Sequence, residues 1–294
     1  MQQESFVLRA PAKINLSLRV VGRRGDGYHL LSTRMQKVGL YDELTFHPAR
    51  VGIELHCSGA DLPQDAGNLV YRAAELFLAG NRERLPLETR GVVIRLTKKI
   101  PVAAGLGGGS SDAAATLLGL NRLYQLESSP AALAAMGVRL GADVPFFLDP
   151  SPAVLATGIG ELLHPVPPLT DCWILLVNPG FSVSTHWVYQ NFALTESDTS
   201  GSLQDFEDEI ARTDAGGLFG SAVNDLERVT LKQFPDLQRI KAGMLAQGAD
   251  MSLMSGSGPT VFGVFTEQQK ALAAHAWFRR QYPCTFLVDP VKET

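Results

Sequence analysis

Glycine and serine crowd the segment 101–112, where Gly105, Gly107, Gly108 and Gly109 are followed by Ser110, Ser111 and Asp112. Glycine permits positive φ and close backbone approach, so successive N–H groups can converge on one anion. Beyond Asp112 the apolar spacing at Ala113, Ala114, Leu117, Leu118 and Leu123 predicts a helix. Its N-terminus would add unsatisfied donors and a favourable dipole, and Ser110 or Ser111 would add hydroxyl donors. Phosphate is the natural occupant. The Gly-Lys-Ser/Thr ending of a Walker loop is missing, and no strand-helix-strand unit with a ribose-binding acid follows. A flexible, serine-capped loop is the alternative reading.

Two more residues have the types that proton transfer requires. Lys13 stands in Pro11-Ala12-Lys13-Ile14-Asn15-Leu16, and Asp143 in Gly141-Ala142-Asp143-Val144-Pro145-Phe146-Phe147. The apolar run after Asp143 predicts partial burial, where an unpaired carboxylate is costly. On spacing alone a structural ion pair is the reading to prefer.

The elements that must position these groups alternate between strand and helix. Period-two patterning predicts strand over residues 6–20, with a glycine-rich break at 22–27, and further strands at 30–40, 42–47, 51–57, 91–96, 172–177 and 260–265. Helical spacing marks 68–78, the residues after 112, and 131–140, 206–212 and 236–247. The stretch His164-Pro165-Val166-Pro167-Pro168 reads as a domain link, and Met254-Ser255-Gly256-Ser257-Gly258-Pro259 as a second glycine-serine turn. The pattern predicts α+β sandwich domains.

Composition bounds the function. The chain has 294 residues, 45% hydrophobic and 19% charged, which is an ordinary globular balance with room for two domains. A formal net charge of −4 supplies no basic footprint for nucleic acid or an anionic membrane. Cys57, Cys172 and Cys284 are far apart and odd in number, and the six histidines lack ligand spacing, so neither a disulfide framework nor a zinc site is expected. No signal peptide or membrane span is legible, and a cytoplasmic location is the expectation.

Three segments in order, 11–16, the glycine loop and 254–260, resemble the GHMP kinases, the superfamily of galactose, homoserine, mevalonate and phosphomevalonate kinases. Further pieces narrow the likeness: Arg24-Gly25-Asp26-Gly27-Tyr28-His29, Gly67-Asn68-Leu69-Val70, Lys98-Lys99-Ile100-Pro101, the Asp143 segment and Val223-Asn224-Asp225-Leu226. They are similar to the branch that phosphorylates a cytidine-diphosphate-linked methylerythritol in the non-mevalonate isoprenoid pathway. The resemblance implies a two-domain α+β fold, with a ribosomal protein S5 domain 2-like N-terminal domain (1–165), an α/β-sandwich C-terminal domain (166–294) and the active site in the cleft between them. It implies transfer of the ATP γ-phosphate to the 2-hydroxyl of the methylerythritol unit, with Mg2+ expected, no nucleic-acid or membrane partner, and a monomer or homodimer.

The same resemblance assigns residues. Asp143 becomes the general base and Lys13 its matching cation, replacing the structural pair. Asn68, Lys98, Lys99, Pro101, Ala103, Ala104, Gly105, Leu106, Gly107, Gly108, Gly109, Ser110 and Ser111 go to ATP. Asn15, Tyr28, His29, Asp143, Thr185 and Tyr189 go to the acceptor, with Tyr28 and His29 at its cytidine end. Gly256, Ser257 and Gly258 form a structural turn near the site. No residue is singled out as a metal ligand. Two rivals stay open: a GHMP kinase acting on homoserine or a mevalonate-like alcohol, and a non-catalytic nucleotide sensor on the same fold. Tyr28-His29 and the Asp143 segment speak against the first, Lys13 and Asp143 together against the second.

Overall fold

The computed structural model describes residues 6–86, 90–194, 219 and 222–292, and in it the opening alternation becomes two long strands, β1 (Phe6–Arg23) and β2 (His29–Ala49). The two stretches expected at 30–40 and 42–47 are one strand, Tyr41 continuing the run between them and the buried Asp42 side chain accepting from the Lys99 and Ile100 N–H groups instead of breaking it. The strands pair with each other, and both contribute residues to each of two compact units. One unit comprises Met1–Ala12, Leu40–Val102 and Gly107–Pro150; the other comprises Lys13–Gly39, Ala103–Leu106 and Ser151–Thr294.

In the first unit β3 (Val51–Ser58) runs parallel to β4 (Arg90–Thr97), and β4 runs antiparallel to the second half of β2, with Glu43 opposite Thr97. Parallel neighbours need a crossover. Helix α1 (Leu69–Gly80) lies within that crossover, started by Asn68, whose Oδ1 accepts from the Val70 N–H at 2.9 Å. Against α1 pack α2 (Gly108–Leu123) and α3 (Pro130–Leu140), the latter begun by a Ser129 cap and Pro130. A short helix, α4 (Val144–Leu148), lies on α2 and α3. Small residues set this closeness: a Cβ on Gly119 would fall 2.5 Å from the Phe46 ring, and one on Gly137 2.9 Å from Leu148.

In the second unit residues Thr33–Gln36 of β2 pair antiparallel with β5 (Ala153–Thr157), which turns back into β6 (Leu162–Pro165). The proline-rich stretch read as a link is therefore partly strand. Pro165 closes an outer strand, where its missing N–H is not needed by another neighbour. A second sheet, ordered β10-β7-β9-β8, is built from β7 (Trp173–Asn178), β8 (Met251–Met254), β9 (Val261–Phe265) and β10 (Cys284–Val288), all antiparallel. Helices α5 (Thr185–Gln190), α6 (Glu227–Gln233), α7 (Pro235–Ala246) and α8 (Gln268–Arg279) complete the described elements of this unit.

Its core runs from Leu18 and Val20 of β1 through Leu175 and Val177 to Leu237, Ile240, Ala274 and Phe278 on α7 and α8. Gln36 anchors the C-terminal segment: its Nε2 donates to the Val291 and Lys37 carbonyls at 2.9 Å, and its Oε1 accepts from the Leu169 N–H at 2.9 Å. The helix read at 206–212 lies outside the described residues. Strands β5, β6, β8 and β10 and helices α6 and α8 carried no clear period in the sequence.

The Gly119 contact is directly testable. Gly119→Ala should destabilise the protein by roughly 1–3 kcal/mol through overpacking against Phe46, despite the better helix propensity of alanine. Urea unfolding reads this, and a stability equal to or above the parent would contradict the contact.

Candidate active site

The expected loop is shorter than its glycine count suggested. Gly105 (φ 76°) and Gly107 (φ 69°) are left-handed, and Gly107 caps α2 without any side-chain hydrogen bond. Gly108, Gly109, Ser110 and Ser111 already form the first turn of the helix. Glycine's cost within a helix is small at the first turn, where the N–H groups have no intrahelical partner in any case. The N–H groups of Gly108, Gly109 and Ser110 therefore point out of the helix end, while that of Ser111 donates to the Gly107 carbonyl at 2.9 Å and Ser111 Oγ is buried there without a hydrogen-bond partner.

Residues 103–106 are held from two sides within the second unit. The Lys13 N–H donates to the Leu106 carbonyl at 2.9 Å, Ser255 Oγ to the Gly105 carbonyl at 2.9 Å, and the Thr260 N–H to the Ala104 carbonyl at 3.3 Å. A Cβ on Gly105 would collide with the Ser255 carbonyl oxygen. Ala103 is itself left-handed at φ 50°, an uncommon conformation outside glycine. Ala104 and Leu106 are buried, and Pro101 is half-buried.

The facing turn is equally constrained. Gly256 (φ 55°) and Gly258 (φ 84°) are left-handed, and the Gly258–Pro259 peptide is cis. The Asn224 amide donates to the carbonyls of Met254 (2.7 Å) and Gly256 (2.8 Å), and Thr230 Oγ1 donates to the Ser257 carbonyl at 3.2 Å. Asp225 links this support to β1, its Oδ2 accepting from the Val20 N–H at 2.9 Å. Thr185, at the start of α5, shares a 2.8 Å hydrogen bond between its hydroxyl and that of Ser257.

Lys13 is 4% exposed and donates to Asn15 Oδ1 at 2.6 Å; Asn15 in turn donates to Thr33 Oγ1 at 2.8 Å, and Thr33 to the Ser17 carbonyl. A Cβ on Gly256 would lie 3.6 Å from Lys13 Nζ and 3.4 Å from Asn15 Oδ1, so the glycine turn passes directly over the lysine. His29 stacks on Tyr189 with ring centroids 5.2 Å apart and meets the edge of Phe192 at 6.0 Å, while the Arg228 guanidinium covers Phe192 at 4.7 Å. Burial, then the charge of Arg23, lowers the His29 pKa, which keeps its imidazole neutral at pH 7. Tyr28 beside it is 61% exposed.

In the first unit the half-buried Asp143 stands at the N-terminus of α4. A Cβ on Gly141 would lie 3.9 Å from Ser110 Oγ, so the turn leading to Asp143 passes close to the first turn of α2. Asn68 is occupied locally, capping α1 and donating to the Pro63 carbonyl at 2.8 Å. Lys99 makes an exposed pair with Glu43 at 2.7 Å, of the kind that contributes little to stability.

Lys98 differs from its neighbour. It is buried, with Nζ bonded to Asp42 Oδ2 and, at 2.7 Å, to Asp112 Oδ2. Asp42 Oδ1 also accepts from the Lys99 and Ile100 N–H groups at 2.6 and 2.9 Å. Asp42 and Asp112 were not singled out from the sequence. Asp42 carries no local signal, and Asp112 reads simply as the end of the glycine-serine run. Against burial, which alone would lower it, the charges of Asp112 and Asp42 hold the Lys98 pKa above its ordinary value. Burial, with the Asp42 charge added and Lys98 opposing, pushes Asp112 up to about 7. Two carboxylates share one ammonium. Cys57 on β3 feels the same field: burial, then Asp112, raises its thiol pKa.

A raised carboxylate pKa means the folded state binds a proton that the unfolded chain has already released. Stability from Asp112 is thus fully present below about pH 4 and lost as pH rises through about 7. Asp112→Asn should gain on the parent by on the order of 2 kcal/mol between about pH 5 and about pH 8. Paired urea titrations measure it, and a difference that stays constant across that range would exclude the shifted carboxyl.

Comparison with known proteins identifies the family of the chain. The model for the GHMP kinases N terminal domain matches residues 68–149, and that for GHMP kinases C terminal matches 206–284. A relative from Syntrophus aciditrophicus, named 4-diphosphocytidyl-2-C-methyl-D-erythritol kinase, is 49% identical over 90% of this chain and 91% of its own. One of the same name from Moorella thermoacetica is 45% identical over 96% of this chain and 98% of its own. A crystal structure of 4-(cytidine 5'-diphospho)-2C-methyl-D-erythritol kinase superposes with a TM-score of 0.79 at 38% identity, covering 96% of this chain and 98% of that one. A homoserine kinase from Cytophaga hutchinsonii reaches the same TM-score at 19% identity, over 100% of this chain and 97% of its own, and shares the fold. With two family models on one chain and relatives this similar over nearly its whole length, the chain belongs to the GHMP kinases.

Proposed function

We propose that this chain transfers the γ-phosphate of ATP to the 2-hydroxyl of 4-diphosphocytidyl-2-C-methyl-D-erythritol, giving the 2-phosphate and ADP. The observation that carries the reading is the approach of the Asp143 turn to the first turn of α2, which is capped by the left-handed Gly107 and buries the unpartnered Ser111 hydroxyl. A carboxylate on a turn near a helix end able to receive phosphate is the pairing that phosphoryl transfer to an alcohol calls for. The acceptor comes from the names of the similar relatives.

The chemistry then follows from residue types. Asp143 accepts the proton of the 2-hydroxyl as its oxygen bonds to the γ-phosphorus, while the bridging bond to the β-phosphate breaks and ADP leaves. Lys13, aligned by Asn15 Oδ1, lends positive charge to the developing oxyanion. The N–H groups of residues 105–110 and the hydroxyls of Ser110 and Ser111 receive the ATP phosphates. Asn68, Lys98, Lys99, Pro101, Ala103 and Ala104 shape the rest of the ATP site. Tyr28, neutral His29 and Tyr189 take the pyrimidine by stacking and hydrogen bonding, with Asn15 and Thr185 towards the rest of the acceptor.

Mg2+ belongs to the same proposal. Among the described residues no group of three or more His, Cys, Asp or Glu side chains stands ready to hold a metal. A magnesium ion carried in on ATP, with phosphate oxygens and water as its ligands, fits that donor set. When bound it would neutralise phosphate charge. The proposal also assigns residues 1–165 and 166–294 to the two family halves; the matched segments 68–149 and 206–284 fall one in each. A cytoplasmic setting goes with it, and among the described residues no helix is long and apolar enough to cross a membrane.

Substrate-dependent ADP release in a coupled assay should appear with the cytidine-diphosphate acceptor and not with homoserine or mevalonate; no such release would sink the assignment. Asp143→Asn and Lys13→Met should each keep the fold and ATP binding yet lose turnover by about a hundredfold or more. Turnover close to the parent in either purified variant would remove that residue from the chemistry.

A further inference from the structure

The segment 101–107 leaves the sheet at Lys98-Lys99-Ile100 and returns as the first residue of α2, Gly108. Both ends meet at one ammonium. Lys98 Nζ, on the departing side, is bonded to Asp112 Oδ2 on the returning helix at 2.7 Å and to Asp42 of β2. The same Asp42 carboxylate takes the next two backbone N–H groups on the departing side, those of Lys99 and Ile100. A Cβ on Gly108 would lie 3.2 Å from Lys98 Nζ and 3.0 Å from Ile100, so the helix start sits directly on the lysine head. Behind it the backbone is fixed as well: the Lys98 N–H donates to the Ser58 carbonyl at 2.8 Å, and a Cβ on Gly59 would collide with the Lys98 carbonyl.

We infer that Lys98 and Asp112, braced by Asp42, form a strap across the base of the glycine loop and act as positioning residues for the ATP phosphates. The inference rests on the ATP reading of that loop given above. Desolvating an ammonium and two carboxylates is costly, and hydrophobic residues of similar size would often serve stability as well or better. What this cluster supplies that a hydrophobic pair would not is a directional link between the two ends of the loop. The first-turn N–H groups of α2 are thereby set against the departing strand. Positioning of this kind acts on phosphate binding, with no contact between the lysine head and ATP required.

The test compares steady-state kinetics and ATP calorimetry for the parent, Asp112→Ala, Asp112→Asn and the double variant Lys98→Met with Asp112→Leu. The double variant cuts the strap without stranding Asp112; Asp42 loses the ammonium at Oδ2 and keeps the Lys99 and Ile100 N–H groups at Oδ1. The expected result is a KM and a Kd for ATP raised about tenfold or more in Asp112→Ala and in the double variant, with KM for the acceptor alcohol within about twofold of the parent. Asp112→Asn, which keeps an acceptor for the ammonium, should restore most of the ATP affinity that alanine loses. Folded variants with parental ATP affinity, or equal losses against both substrates, would overturn the strap. A parent that binds no ATP would overturn the loop reading itself, and is seen in the same calorimetric series before any variant is compared.

Discussion

The second unit turns on a place where two backbones come closer than side chains allow. At Gly105 the Ser255 carbonyl oxygen occupies the space that any Cβ would need, and positive φ at Gly105, Gly256 and Gly258 lets both segments make the approach. Around that contact the rest is support. Lys13, Ser255 and Thr260 fix the loop through its carbonyls, Asn224 and Thr230 fix the turn through its own, and Asp225 ties the support to β1. Lys13, offered for catalysis, and Asn15, offered to the acceptor, are arranged around a backbone geometry that glycine alone permits.

The two units use different physics to hold their parts of the loop. Residues 103–106 are held by neutral hydrogen bonds to main-chain carbonyls, which are individually modest and collectively precise in direction. The flanks at 98–100 and 108–112 are held by buried charge. Neutral bonds leave the loop insensitive to pH, whereas the charged base carries a carboxyl that titrates near neutrality. The loop therefore has a stiff centre and a base that responds to protons.

Much of this was legible in the sequence because glycine, serine and capping residues report local backbone needs. Gly105, Gly107, Gly256 and Gly258 could be read as turn positions from their clustering, and Asn68 stands where the helix read at 68–78 begins. The start of α2 was misplaced by several residues since Gly108 and Gly109 look like loop, and only the absence of partners at a helix's first turn makes them tolerable there. Lys98 and Lys99 look equivalent in sequence. Their difference is set by Asp42, 56 residues before Lys98, and by which side of the strand end each faces. The stacking of His29 on Tyr189 likewise joins residues whose separation leaves no period to detect.

The sharing of β1 and β2 between the two units has a consequence for how the chain can be made. The second unit needs residues 13–39 as well as 151–294, so a chain synthesised only as far as Pro150 holds the material of the first unit together with strand segments whose partners do not yet exist. Residues 33–36 must wait for 153–156, and Leu18 for Val223 and Asp225. Pairings so distant along the chain close slowly. During synthesis residues 13–39 thus lack part of the pairing that the finished fold gives them. A truncation anywhere between the two halves would leave that segment permanently unsatisfied and prone to pair with other chains.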